Sequence, residues 1–425
     1  METSTQVSQV SIFVDAFRDQ PSALSAHHAV TVAQAREAAL AMSFPTTRHE
    51  AWKYTRTTRI ANTTWKCVPG NADPSLTLPV IPGLETSGNL VFVNGYYQAH
   101  LSTVASGKGF EVHNDLPVND QVQLSGGEDF FRELHTGWCS SVVTVRISEN
   151  AILDKTIQIS HIVTDNNALA QPLVVIEAGA HSQSSLVEIF TQKSNTESSF
   201  THRRLSVSVG KNASCTIDKI QGEGANAFLL NRDEVILESD SRFTINTLTV
   251  DGQWVRNDLH ITLNGINGEA GLHGLFLPGQ SQLVDNHTRV DHRVAHCNSH
   301  ELYKGLLRGN ATGVFNGKVY VHIDAQKTNA YQSNANILLS DDAQMYTKPE
   351  LEIYADDVKC SHGTTTGQLD EAAMFYLKAR GIGEENARRL LTTAFLNDVL
   401  EKVNHAPVRE YVLNKFAERG LLFTH

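Results

Sequence analysis

Short apolar runs separated by polar residues dominate the chain from about residue 89 to residue 362. The runs are rich in Val, Ile, Leu and Thr, and clusters of Gly, Asn, Asp and Ser separate them. Many runs alternate apolar and polar residues with a period of two, which is typical of half-buried strands. Examples are NLVFVNG, SVVTVRIS, TIQISHIV, LVVIEAG, RLSVSVG and KVYVHID. The pattern predicts a mainly β protein.

The spacing of the runs favours a β-solenoid, with a sandwich or a barrel as alternatives. Between residues 156 and 269 the runs begin about every 14 residues, and no long amphipathic helix interrupts them, which argues against a βαβ sheet. The segments IEAG (176–179), SVSVG (206–210) and ILES (236–239) recur at intervals of about 31 residues. Such an interval is close to one coil of a β-helix.

Helical patterns flank this β region on both sides. Apolar residues at helical spacing predict helices within residues 9–42, and a proline-rich stretch (67–88) predicts a linker. Three further helices are predicted at LDEAAMFYLKAR (369–380), EENARRLLTTAFLNDVLEKV (384–403) and PVREYVLNKFAER (407–419). We therefore divide the chain into an N-terminal helical segment with linker (1–88), a β core (89–365) and a C-terminal helical domain (366–425).

Charge and composition narrow the cellular setting. The chain of 425 residues has 35 Lys and Arg against 46 Asp and Glu, a net charge of −11, which disfavours a nucleic-acid partner. The N-terminus lacks the basic and apolar regions of a secretory signal, and no apolar stretch reaches the ~20 residues of a membrane span. The five Cys residues are scattered and form no CxxC pair. These features predict a cytoplasmic protein that contacts no membrane.

Catalytic and nucleotide-binding motifs are scarce. No P-loop, GxSxG or HExxH sequence occurs, and GEGANA (222–227) precedes a strand-like run rather than a helix, which predicts a turn. The adjacent acids Asp341–Asp342 and Asp356–Asp357 are candidates for sugar cleavage, although neighbouring residues of a strand point to opposite faces. A carbohydrate-active β-helix lyase or hydrolase is therefore one alternative function.

Histidine supplies a second alternative. His292, His296 and His300 follow each other at spacing four, with Cys297 between them. Spacing four places side chains on one face of a helix, and imidazole and thiolate together suit zinc or iron. On one extended strand the three rings span ~26 Å and cannot share an ion. A His-rich metalloenzyme and a polar strand face that binds no metal both stay open.

The segment KCSHG (359–363) lies at the junction of the β core and the C-terminal helices. Cys360 and His362 share a face if the segment is extended, but two ligands are fewer than the three or four that a metal site needs. A site here would need ligands from a second element, such as another chain. The following helix, 369–380, is apolar on nearly every side, so one face is predicted to pack on its own domain. The other face either meets a partner or is buried within the same domain, and both alternatives stay open.

Three long stretches resemble one known family. They are FPTTRHEAWKYT (44–55), HCNSHELYKGLLRGNATGVFNGKVYV (296–321) and KPELEIYADDVKCSHGTTTGQLDEAAMFYLKARGI (348–382). Together they resemble the signatures of the SufB/SufD scaffold proteins of Suf iron–sulfur cluster assembly, in the same order along the chain. Where SufB-like chains carry EHEATTS, this chain has SHGTTTG (361–367), which favours the SufD branch.

The resemblance implies a fold and a set of partners. The family fold is a right-handed parallel β-helix with helical domains at both ends. Its SufD-like members are non-catalytic subunits that pair with SufB and bind the ABC-type ATPase SufC through the C-terminal helices, so ATP would be hydrolysed by the partner. The SufC-binding residues expected here are apolar: Leu369, Phe375, Tyr376, Leu377, Leu390 and Phe395.

The resemblance also assigns a site. The family's functional histidine at the SufB–SufD interface corresponds to His362, and Cys360 lies beside it. The implied metal is iron or a transient iron–sulfur cluster shared with SufB, and the isolated chain is expected to hold no cofactor stably. SufD-like chains also pair with themselves when SufB is absent.

Overall fold

The computed structural model describes residues 2–69, 76–104, 109–116, 124, 129–193 and 196–420, with side chains for all of these except residues 2–8 and 25. The helices are α1 (Glu2–Asp15), α2 (Ser25–Ala41), α3 (Thr58–Asn62), α4 (Phe130–Gly137), α5 (Glu371–Ala379), α6 (Glu384–Leu400) and α7 (Ala406–Glu418). The strands are β1 (Thr86–Val93), β2 (Tyr96–Tyr97), β3 (Thr103–Val104), β4 (Phe110–His113), β5 (Ser141–Ile147), β6 (Thr156–Val163), β7 (Ala168–Ala170), β8 (Pro172–Ala178), β9 (Gln183–Gln192), β10 (Ser199–Val209), β11 (Ser214–Gln221), β12 (Ala227–Leu237), β13 (Arg242–Thr249), β14 (Trp254–Leu263), β15 (Glu269–Phe276), β16 (Leu283–His292), β17 (Asn298–Leu307), β18 (Thr312–Val321), β19 (Asn329–Leu338), β20 (Gln344–Ile353) and β21 (Lys359–Gly367).

The strands belong alternately to two sheets, so the chain winds into a β-solenoid of about eight coils. Sheet one has the order β2-β1-β6-β9-β11-β13-β15-β17-β19-β21, and sheet two has the order β20-β18-β16-β14-β12-β10-β8-β5-β4. Neighbouring strands from β8 onward are parallel. Val235 pairs with Ile261 and Val319 pairs with Leu351, so one coil takes between 26 and 32 residues. The predicted parallel solenoid is confirmed, while its right-handed winding stays a prediction.

Residues with the same position in successive coils stack on each other inside the solenoid. In sheet one, Ile217, Ile245 and Leu272 form such a column, and all three side chains are fully buried. Each stacked aliphatic side chain contributes about 1.5–3 kcal/mol by leaving water. Because side chains along a strand alternate between its two faces, every second residue belongs to an inward column and the residues between them belong to an outward column. The two-residue period of the sequence reflects this alternation.

A buried ionic cluster interrupts this apolar interior. Arg203 donates from Nη2 to Oε2 of Glu188 at 2.5 Å and from Nη1 to Asp233, and Lys219 donates to Asp233 at 2.6 Å. His161 completes the cluster, with its Nε2 at 2.9 Å from Glu188. Burial raises the pKa of the Asp233 carboxyl, but Arg203 and Lys219 more than offset this and leave the pKa lowered. The charges therefore persist inside because each has a partner.

The N-terminal helices cover one side of the solenoid through aromatic rings. Phe13 of α1 contacts Phe44 edge-on, and Phe17, just after α1, contacts Trp138 edge-on. Phe131 of α4 lies in the same cluster. Helix α4 lies inside the region predicted to be β. Its eight residues are too few to show a helical period beside so many strands, although Asp129 caps it by accepting from the backbone N–H of Arg132 at 3.2 Å.

The C-terminal helices α6 and α7 pack on the outer face of sheet one. Buried side chains of the helices, including Leu396, Val399 and Phe416, meet Leu248 and Leu275 of the sheet. The three predicted C-terminal helices are confirmed, and so are the helices predicted near the N-terminus; the domain boundaries stay predictions. None of the described helices is long and apolar enough to span a lipid bilayer.

The ionic cluster yields a stability prediction. We expect Arg203→Met to lower the free energy of unfolding by about 3–5 kcal/mol, because it leaves Glu188 and Asp233 buried without their cation. The matched control is Arg242→Met, since Arg242 pairs with Glu269 at 3.0 Å on the surface and such pairs contribute at most about 1 kcal/mol. Urea denaturation of both variants measures the difference, and equal losses would contradict the role given to the cluster.

A buried carboxyl yields a prediction on pH. Burial raises the pKa of Glu223 to about 8, and its Oε1 accepts from Thr201 Oγ1 at 2.7 Å. The folded protein thus keeps a proton that the unfolded chain releases above about pH 4.3, so the free energy of unfolding falls as pH rises toward 8, by up to about 1.4 kcal/mol per pH unit.

Glu223→Gln should remove this contribution, because the amide is neutral at every pH. We expect the melting temperature of Glu223→Gln, measured by calorimetry, to increase relative to that of the wild type as pH rises from 5 to 8. The exposed Glu197→Gln serves as control. Parallel curves for Glu223→Gln and the wild type would show that Glu223 is ionised in the fold.

Candidate functional site at the open end of the solenoid

The two ends of the solenoid are built differently. At the N-terminal end, β1 pairs antiparallel with β2 and β3, and β4 pairs antiparallel with β5. At the C-terminal end, β20 pairs only with β18 and β21 only with β19 among the described residues. Backbone N–H and C=O groups along the free edge of each strand can therefore accept a further strand.

Strand β21 is exposed on both faces. All its side chains are exposed except that of Cys360, which is half-buried. Residues of β21 that point toward the solenoid axis stack on Gln332, Asn334 and Asn336 of β19, which are all buried. The difference arises because β19 has a coil stacked on it and β21 has none.

Cys360 and His362 both belong to this inward column. Cys360 is in register with Ala330 of β19, and His362 is in register with Gln332. Since the segment is a regular strand, the two side chains lie on one face about 6.6 Å apart along it. The structure thus places the two predicted site residues together, at the uncovered end of the solenoid.

Polar side chains also occupy the positions in register with His362 on the two preceding strands of sheet one, β19 and β17. Gln332 donates to Oε2 of Glu301 at 2.8 Å, and Glu301 is its register partner on β17. Burial raises the pKa of the Glu301 carboxyl to about 7. This ladder was not predicted from the sequence, although Glu301, Gln332 and His362 recur one coil apart and the repeat interval is a signal that could have revealed it.

As metal ligands, Cys360 and His362 would supply one thiolate and one imidazole, fewer than the three or four ligands of a complete site. Partial burial raises the pKa of the Cys360 thiol, so the group is protonated at neutral pH and must lose its proton to bind a metal. No group of three or more His, Cys, Asp or Glu side chains that could hold a metal ion occurs among the described residues. Further ligands would have to come from outside the described part of the chain.

The structure separates the histidine row. His292 ends β16 inside the solenoid, where its Nε2 lies 2.9 Å from Ser299 Oγ and burial lowers its pKa to about 4. His296 occupies the following turn at φ 64°, and His300 lies exposed on β17, stacked on Tyr331. The three rings share neither a helix nor a strand, so their spacing does not create a common face.

The acidic pairs lie in exposed turns rather than across a groove. Asp341 and Asp342 join β19 to β20, and Asp356 and Asp357 join β20 to β21. Asp357 is also paired with Lys327. The arrangement does not provide two carboxyl groups facing each other across a substrate, which sugar hydrolysis needs.

The candidate partner-binding residues follow β21 directly. Phe375 and Tyr376 of α5 are 74% and 56% exposed, and Leu390 of α6 is 47% exposed. No residue of α5 is buried, since the helix rests mainly on α6. Leu369 and Leu377 are half-buried.

The last of these residues, Phe395, faces the solenoid. It is half-buried, and the Lys304 ammonium lies 4.4 Å from the centre of its ring. Lys304 also donates to the Phe395 carbonyl at 2.9 Å and pairs with Asp398. In this structure Phe395 therefore anchors α6, and the exposed apolar patch consists of Phe375, Tyr376 and Leu390.

Comparison with known proteins assigns the fold to a family. Residues 161–395 match the domain described as SUF system FeS cluster assembly, SufBD core domain. The chain is 30% identical over 391 residues to the iron–sulfur cluster assembly protein SufD of Escherichia coli K12, covering 89% of this chain and 90% of that protein. The chain belongs to the SufBD family.

Two further relatives support the assignment of this SufBD protein. A SufBD family protein of Synechocystis is 26% identical over 388 residues, covering 85% of this chain and 84% of the relative. SufD of Bacillus subtilis is 26% identical over 305 residues, covering 70% and 68%. The SufD-like character inferred from SHGTTTG (361–367) is thus confirmed.

Proposed function

We propose that this SufBD protein is a non-catalytic scaffold subunit for iron–sulfur cluster assembly. It pairs with a SufB-type subunit through β20 and β21, carries a SufC-type ABC ATPase on α5 and α6, and presents His362 with Cys360 to the nascent cluster. The observation that carries the proposal is the exposed terminal strand β21, which bears both candidate ligands.

The free edges favour pairing with another β-solenoid. The last coil ends each sheet with one strand, β21 in sheet one and β20 in sheet two, and each strand offers one row of unpaired backbone groups. A partner that adds strands there satisfies these groups and covers the inward column that holds Cys360, His362 and Thr364. A second copy of this chain offers the same edges, which accounts for self-pairing when the SufB-type subunit is absent.

The exposed patch on α5 and α6 favours a protein partner. Phe375 and Tyr376 present large apolar surfaces on α5, which has no buried residue, and Leu390 presents another on the neighbouring α6. Aromatic side chains of this kind contribute most of the binding energy in protein interfaces. Only residues 368–370 separate β21 from α5.

This short connection links the ATPase to the cluster site. When two ATPase subunits close on ATP, they draw the α5 helices with them, and the three-residue connection passes the displacement to β21. The interface at His362 then opens for iron and sulfide. The anchoring of α6 through Lys304 and Asp398 keeps the rest of the helical domain on the solenoid.

The two side chains suit a cluster that must be released. Neutral imidazole of His362 donates a nitrogen lone pair to iron, and Cys360 binds as thiolate after giving up its proton. Remaining ligands come from the SufB-type subunit. A mixed set with few thiolates holds iron less firmly than the four cysteines of a typical cluster protein.

The ATPase surface is tested by co-purification. The tagged chain is co-expressed with SufB and SufC from the same source, and we expect a stable complex of all three. Phe375→Asp should remove the ATPase and retain SufB, because a carboxylate replaces the most exposed aromatic ring of the patch. Ile266→Asp, which is 50% exposed in a turn of the solenoid, is the matched control.

If the complex formed by the Phe375→Asp chain still contains the ATPase, the ATPase binds to a surface other than this patch. If the wild-type chain elutes alone and binds neither subunit, the scaffold function itself fails. Circular dichroism of each variant confirms that the fold is intact, which is expected since both positions are exposed.

The cluster site is tested by complementation. In cells that depend on this protein for their iron–sulfur enzymes, we expect His362→Ala to lose most of the enzyme activity and Ser361→Ala to retain it. Ser361 is exposed on the opposite face of the same strand. Because His362 is exposed, its removal should change the free energy of unfolding by no more than about 0.5 kcal/mol. Full rescue by His362→Ala would refute the site.

A further inference from the structure

A concave site lies on the outer face of sheet two, whereas Cys360 and His362 belong to β21 of sheet one. A cavity of about 780 Å³ separates residues 47–59, which overlap the first sequence signature (44–55), from the outer face of sheet two. Its floor is a single column of side chains from five successive strands, in register with each other: Phe228, Trp254, Leu283, Thr312 and Gln344. The column extends for about 19 Å, at about 4.8 Å per strand.

The wall of this cavity is cationic. Lys53, Arg56 and Arg59 line it, and no Asp or Glu is among its lining residues, in a chain with a net charge of −11. None of the three forms an ion pair with the described residues. The Glu50 carboxylate, which interacts electrostatically with Lys53, pairs with Lys348 and does not line the cavity. The three cations of the lining therefore form a local excess of positive charge, which attracts anions even though the whole chain repels them.

Contacts with the solenoid hold this wall in place. Thr55 Oγ1 donates to Oδ2 of Asp285 at 2.5 Å, and Trp254 Nε1 donates to the Arg56 carbonyl at 3.1 Å. Arg256 lies on the ring of Trp52 at 3.9 Å and donates to the Ala51 carbonyl at 2.7 Å. The backbone on both sides of the cations is thus fixed by buried partners, so the side chains start from a defined position.

Two features indicate what the cavity accepts. The Arg59 guanidinium lies 5.2 Å from the ring centre of the buried Phe228, which supports one face and leaves its N–H edges free. A guanidinium presents paired donors that match two oxygens of a phosphate group. Tyr54 and Tyr346, stacked 4.0 Å apart, form an aromatic border beside the cations.

We propose that this groove binds a phosphorylated organic molecule of about nucleotide size. The phosphate groups contact Lys53, Arg56 and Arg59, and the organic part occupies the groove along the floor column. The volume is too large for a phosphate ion alone and falls within the range of cofactor pockets, about 300–1,000 Å³. The proposal does not rest on the scaffold function, although Gln344 and Tyr346 belong to β20, one of the two strands proposed to pair with a SufB-type subunit.

Isothermal titration of the full chain tests the proposal with four probes at low ionic strength. We expect ADP and pyrophosphate to bind at one site per chain, with ADP the tighter, and citrate and adenosine to bind at least about tenfold more weakly. If the chain bound pyrophosphate as tightly as ADP, the claim that the ligand is of about nucleotide size would be wrong. Citrate as tight as pyrophosphate, or no binding of ADP below about 1 mM, would overturn the site itself.

Matched variants locate the binding. Arg56→Gln should weaken the binding of ADP about tenfold, since one charge-assisted contact is lost. Arg242→Gln, which changes an exposed cation of sheet one, should leave the affinity for ADP unchanged. Arg59→Gln should weaken ADP as well. Because Arg59 packs on Phe228 and its loss can disturb the fold, Arg56→Gln decides the result. Equal affinities for Arg56→Gln and the wild type would refute the proposal.

Discussion

Each coil of the solenoid satisfies its backbone hydrogen bonds only on the coils before and after it. This dependence on neighbours allows about eight coils to stack with small differences in length, because a turn can gain or lose a residue without disturbing the ladder. It also leaves an unsatisfied row at each end. The chain closes its first coil with the antiparallel strands β2, β3 and β4, and leaves its last coil, with β20 and β21, unpaired. The location of the candidate site follows from this asymmetry.

The interior of the solenoid holds charged and polar side chains as well as apolar ones. The ionic cluster around Arg203 and the ladder of Glu301 and Gln332 are both enclosed by the coils. Charged groups are retained where a partner from the next coil reaches them, as Asp233 of β12 reaches Arg203 of β10. Since such contacts form only in one register, they oppose a slip of one coil against the next, in addition to the apolar columns.

The helices at the two ends act on different parts of the solenoid. The N-terminal helices cover the early coils with aromatic rings and bring the segment of Lys53, Arg56 and Arg59 onto the outer face of sheet two. The C-terminal helices α6 and α7 attach to sheet one, and α5 stays exposed. Membership of the SufBD family is consistent with the arrangement of the N-terminal helices and with that of the C-terminal helices. The proposed scaffold function uses only the C-terminal helices.

The chain itself determined much of this fold, because alternation along a strand and the repeat interval are local properties that a sequence displays. The solenoid, the terminal helices and the pairing of Cys360 with His362 on one face were all predictable for that reason. Contacts between coils were not predictable from the sequence. The burial of Gln332 behind His362, the separation of His292 from His300, the inward direction of Phe395 and the cavity beside Arg56 depend on which residues stack about 30 positions apart. Turn lengths set that register coil by coil, and only the tertiary structure shows the result.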